Sequence, residues 1–144
     1  MANYYTQFSC ELDLKATTNI SRAKEIYSDL VNSADPTPNY GSLNVRFEDD
    51  NTCVWIYSDE SGDINAVVGF VNHCAKEFSL TGLWGFQYAN TCSKPRLDDF
   101  GGGAVLIDLA TQAVVSSIDT SKWLEDNLTQ DRQDVNEQLT VKNA

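Results

Sequence analysis

Residues 4–14 alternate without a break: Tyr4, Thr6, Phe8, Cys10, Leu12 and Leu14 fall on one side, and Tyr5, Gln7, Ser9, Glu11 and Asp13 on the other. A period of two over this length predicts a strand with one buried face, which needs other strands beside it and a cover over its apolar side. Two stretches offer that cover. "TTNISRAKEIYSDLVNS" places Ile20, Ala23, Ile26, Tyr27, Leu30 and Val31 at helical spacing, with Thr17, Thr18 or Asn19 as the cap, and predicts a helix over 20–32 with Arg22 and Lys24 in solvent. "SDESGDINAVVGFVNHCAKEF" does the same with Ile64, Val67, Val68, Val71, Ala75 and Phe78, and predicts a helix over 63–78. Its leading acids, Asp59, Glu60 and Asp63, lie where the positive end of a helix dipole favours anions.

The remaining segments read mostly as strands. "SLNVRFEDDNTCVWIYS" is a hairpin that turns at Glu48 to Asn51, with an apolar run from Cys53 to Tyr57. In "LTGLWGFQYAN", Trp84, Phe86 and Tyr88 share one face; a base-stacking platform needs a positive groove beside it, so these rings are read as core. "GGGAVLIDLATQAVVSSI" is a second hairpin that turns near residues 108–111, and "DTSKWLEDNL" starts a third helix capped by Asp119 or Thr120. The order β-α-β-β-α-β-β-β-α predicts a single α+β domain over 1–128, an antiparallel-rich sheet with helices on one face. A polar tail over 129–144 follows, held by little more than Val135, Leu139 and Val141. No apolar run is long enough for a membrane span, and the first residues lack the pattern of a signal peptide, so a soluble cytoplasmic protein is expected.

Charge sets the function classes. The 144 residues carry 21 Asp and Glu against 10 Lys and Arg, a net charge of −11. Residues 47–75 hold Glu48, Asp49, Asp50, Asp59, Glu60 and Asp63 with no Lys or Arg. Direct binding of duplex nucleic acid or of an anionic membrane needs cations that this chain does not concentrate. A basic protein partner fits, with those six acids as the binding face; solubility alone is the plain alternative.

The four cysteines form no C-x-x-C pair, so the spacings of a zinc ribbon and of a redox dithiol are both missing. Cys10, Cys53 and Cys74 sit in apolar stretches and are expected to be reduced and protected. The segment "TCSKPRLDDFGGG" joins two strands and has two readings. As a site, Cys92 would be a nucleophile activated by Lys94 or Arg96, with the amides around Gly102 holding an anion. As a corner, the glycines would allow close backbone approach, while Lys94, Arg96, Asp98 and Asp99 pair locally. The glycines lead into a strand and match neither a Walker loop nor a dinucleotide fingerprint, and His73 is the lone histidine available as a base, so the corner reading is preferred. The acids lack EF-hand spacing, and no metal or cofactor is expected.

The stretch "LWGFQYANTCSKPRLDDFGGGAVLID" resembles a family of small uncharacterised proteins of bacteria and mobile elements, and the similarity covers the strand at 4–14 and residues 53–107. The resemblance implies no activity, cofactor or catalytic residue; its mobile-element setting implies a protein that binds and blocks host machinery. The expected function is therefore that of a non-enzymatic acidic protein covering a basic, nucleic-acid-binding surface. An inhibitor of a restriction or CRISPR complex, or an immunity protein for a nuclease toxin, would have this property. A small enzyme working at Cys92 to Gly103 and a structural accessory protein are the alternatives; the oligomeric state is left open.

Overall fold

The computed structural model describes residues 2–35, 37–48, 50–97 and 99–129. Its elements run β1 (Tyr4–Asp13), α1 (Asn19–Val31), β2 (Asn44–Phe47), β3 (Cys53–Ser58), α2 (Ile64–Glu77), β4 (Leu83–Cys92), β5 (Gly101–Asp108) and β6 (Ala113–Asp119), followed by helix α3 over 120–129. The six strands form one sheet in the order β2-β3-β1-β4-β5-β6, with every neighbouring pair antiparallel. The domain is the α+β arrangement that the strand and helix periods predict.

The alternation in β1 decides which face is covered. Phe8, Leu12 and Leu14 are buried together with Val54 and Ile56 of β3, Phe86 of β4, and Val105 and Ile107 of β5. Helix α2 places Ala66, Val67, Phe70, Val71, Cys74 and Ala75 on that layer, and α1 adds Ile20, Ala23 and Ile26. Phe70 is the hub: its ring meets Tyr27 of α1 at 5.6 Å and Phe47 of β2 at 6.4 Å, both edge to face. Each fully buried side chain of this size contributes roughly 1.5–3 kcal/mol by leaving water, which makes the helix-covered face the main source of stability. Trp84 and Tyr88 pack against this core beside buried Phe86, as expected of core rings.

The caps are less uniform than the sequence suggests. Asp63 caps α2 through its side chain, accepting from Asn65 N at 2.9 Å and from Asn39 N at 2.8 Å. Thr18 occupies the cap position of α1 but makes no side-chain cap bond, and Asn19 donates to Leu14 O at 2.9 Å instead. Arg22 does face solvent, where it joins the helices by donating to Glu77 at 2.7 Å and to Glu25 at 2.9 Å. Among the described residues, no helix is long and apolar enough to cross a membrane.

Candidate functional site

With α1 and α2 on one side, the other side of the sheet carries the alternate residues of each strand. Ser9 and Glu11 of β1 stand beside Gly85 and Gln87 of β4, then Ala104 and Leu106 of β5, then Ser116 and Ile118 of β6. Small side chains at Ser9, Gly85, Ala104 and Ser116 leave a groove of about 660 Å3 along this face. At the β3 end of the face, Trp55 stacks on Tyr57 with ring centroids 4.1 Å apart, and its indole N–H donates to Ser9 Oγ at 2.7 Å. Arg46 of β2 lies 5.9 Å from the Trp55 ring centroid and covers part of that ring.

Glu11 connects the groove to the acidic hairpin. It lines the groove and also a smaller depression of about 150 Å3, which it shares with Arg46, Glu48, Asn51, Cys53 and Trp55. Glu48 and Asp50 are exposed in the β2–β3 turn at this end of the sheet. Asp13, paired in register with Cys53, adds a carboxyl at the same end and is held below its usual range first by the Lys15 backbone N–H.

The other acids of the 47–75 window lie elsewhere. Asp59 and Glu60 are exposed past the far end of β3, where Glu60 O accepts from Thr6 N at 2.7 Å near the start of β1. At about 3.3 Å per residue, the six residues of β3 hold the two groups of acids roughly 20 Å apart. That exceeds the Debye length of about 8 Å at physiological salt, so the two ends act as separate charge centres. Asp63 is half-buried and occupied as the cap of α2. Asp49 lies outside the described residues.

The Cys92 corner packs as a corner. Gly102 has φ +153° and is buried, and a Cβ on it would run into Tyr88 O and Ala89 Cα of the neighbouring strand. A Cβ on Gly103 would meet Ile118 O of β6 and the Tyr88 ring. Glycine is thus required where β4, β5 and β6 approach closely. Cys92 is half-buried at the end of β4, paired in register with Tyr4, and His73 stands exposed on α2; among the described residues no hydrogen bond joins them. Among the described residues of this corner, exposed Arg96 donates to the Tyr4 hydroxyl at 3.3 Å, and Lys94 is exposed. Asp99 is half-buried and lines a depression of about 250 Å3 with Tyr5, Asn90 and Phe100, while Asp98 lies outside the described residues.

All four cysteines are free thiols. Burial pushes Cys10 and Cys74 up to about 12, which makes both poor nucleophiles at neutral pH. Cys53 is half-buried on the uncovered face of β3 rather than in the core. Among the described residues, no three His, Cys, Asp or Glu side chains are grouped so as to hold a metal ion.

Sequence reading passed over Glu11, Arg46 and Trp55. The signal was present in β1, whose polar set includes Ser9 and Glu11. In β3 it was masked, because "CVWIY" reads as one apolar run although its alternate members face opposite ways. No protein-family model matches the sequence, and comparison with curated proteins and with solved structures gives no match.

Proposed function

We propose that the protein is a non-enzymatic binding protein that seats a basic surface of a protein partner on its uncovered sheet face, with Glu11, Glu48 and Asp50 as the charged anchor. One observation supports this reading: both core helices cover the same side of the sheet, and on the bare side Glu11 borders both the groove and the depression that it shares with Glu48 and Arg46. Carboxylates at such a rim reproduce the charge of phosphates. They accept hydrogen bonds from Lys and Arg, the latter in paired fashion, and steer encounter through the long-range field of a chain carrying −11. Trp55 supplies the flat aromatic area on which a guanidinium stacks, as Arg46 of the same chain already does.

The partner class follows from the charge. A surface rich in Lys and Arg that is free to receive an acidic protein is the kind that otherwise holds nucleic acid, as in a restriction or CRISPR nuclease or a nuclease toxin. The protein would act by occupying that surface.

Competition tests this directly. The immobilised full chain is incubated with a bacterial lysate, the retained protein is identified, and retention is repeated with increasing duplex DNA and with increasing salt. The expected result is one retained nucleic-acid-binding protein, displaced by DNA and weakened steeply by salt. Retention that neither DNA nor salt disturbs would overturn the reading.

A further inference from the structure

The two edges of the sheet differ. The β2 edge is four residues long and carries Arg46, a short and charged edge of the kind that resists further pairing. The β6 edge is seven residues long, "AVVSSID", and every residue in it is exposed. It has no lysine, arginine or proline. Its one protective device is a bulge opposite Leu106 and Ile107, where Val115 is the extra residue and becomes an exposed apolar side chain itself.

Helix α3 follows β6 directly in the chain, and residues 120–129 are exposed throughout. Val114, Val115, Ile118, Trp123, Leu124 and Leu128 are each between 49 % and 60 % exposed, and they make up half of the exposed large apolar side chains among the described residues. The strand half of this region is electrically quiet: residues 109–118 contain no charged side chain, in a chain with a net charge of −11, and the charges begin at Asp119, with Lys122, Glu125 and Asp126 on α3. For two copies of so acidic a protein, this is where approach meets least repulsion.

We infer that β6 and α3 form the interface of a symmetric dimer, in which the β6 strands of two copies pair antiparallel about a two-fold axis and each α3 packs beside the start of the other copy's β6. The antiparallel direction sets Asp119 near the uncharged 113 end of its mate, whereas a parallel pair would oppose the two Asp119 carboxylates. A two-fold pair is also self-limiting: it uses the open edge of each copy and leaves the short β2 edges outermost. Val114 lies on the helix-covered side of β6, opposite Ile107, and Ile118 on the groove side, opposite Ala104, so apolar side chains flank the paired edge on both faces of the sheet. Pairing at β6 would join two bare sheet faces side by side, since Ser116 and Ile118 already line the groove.

Sedimentation equilibrium of the full chain tests the inference without any partner present. The expected mass is about twice the 16.0 kDa of one chain at micromolar concentration, and the association should strengthen as salt rises, because screening removes repulsion between like-charged copies. Salt thus acts in the opposite direction from its effect on a basic partner, so the two ideas fail separately. Ser116→Lys, which places like charges near the two-fold axis, and Trp123→Glu, on α3, are each expected to weaken dimerisation at least a hundredfold. Both positions are exposed, so the monomer should keep its melting profile and circular dichroism. A mass of one chain at every concentration and salt would overturn the inference. A dimer that survives both substitutions would overturn it as well.

Discussion

Gly102→Ala is expected to lower the melting temperature of the protein by roughly 10 °C or more. The backbone at this residue holds φ +153°, which L side chains adopt only under strain of about 1–3 kcal/mol. The added methyl would also collide with the Tyr88 carbonyl and Ala89 Cα of β4. A packed neighbour of that kind adds overpacking of about 1–3 kcal/mol, and each kcal/mol shifts the midpoint of a domain of this size by roughly 2–8 °C. Cys92→Ser, a few residues away, is expected to leave the midpoint within about 2 °C and partner binding unchanged, since among the described residues no histidine is hydrogen-bonded to that thiol. Differential scanning calorimetry of the two variants separates the corner from a site. A Gly102→Ala protein that melts like wild type, or a folded Cys92→Ser protein that loses its partner, would return the segment to consideration as functional.

The second large effect concerns the charged anchor. Replacing Glu11, Glu48 and Asp50 together by lysine is expected to weaken binding of the basic partner at least a hundredfold, while the matched reversal of Asp59 and Glu60 costs less than about threefold. The contrast rests on distance: the second pair lies at the far end of β3, beyond the reach of screened charge. All five side chains are exposed, so neither variant should lose much stability. Asp63 is excluded, because its carboxylate caps α2 and its loss would cost about 1 kcal/mol of folding energy unrelated to binding. Titration calorimetry with the isolated partner checks both arms; equal losses in the two variants would mean that net charge acts, and that no particular face does.

These expectations show where the sequence was legible. The covered face could be read because its signals are local: β1 alternates by twos, and α1 and α2 repeat at helical spacing. Among the acids, Asp63 and Asp119 announced their roles correctly, as the N-terminal partners of α2 and α3. The anchor could not be read in the same way. Glu48 and Asp59 are close in sequence but are carried apart by an extended strand, whereas Glu11 and Glu48, far apart in sequence, meet at one depression because β1 and β2 flank β3. Convergence of that kind depends on strand order, which no local pattern contains. The β6–α3 surface was hidden for a related reason. "AVVSSI" and "KWLEDNL" have the composition of elements that expect a cover, and only the sheet order places β6 at an open edge.

The proposed binding surface is the uncovered sheet face, with its carboxylates at the β2–β3 end. Carboxyl footprinting of the complex measures this most directly: the protein is treated with a carbodiimide and an amine, free and bound, and modification is read at each Asp and Glu by mass spectrometry. Glu11, Glu48 and Asp50 are expected to lose at least tenfold in modification on binding, while Asp59, Glu60 and Glu25 of α1 react as in the free protein. Protection of Asp59 and Glu60 with Glu11 and Glu48 still reactive would contradict this expectation, and would move the interface to the opposite end of β3.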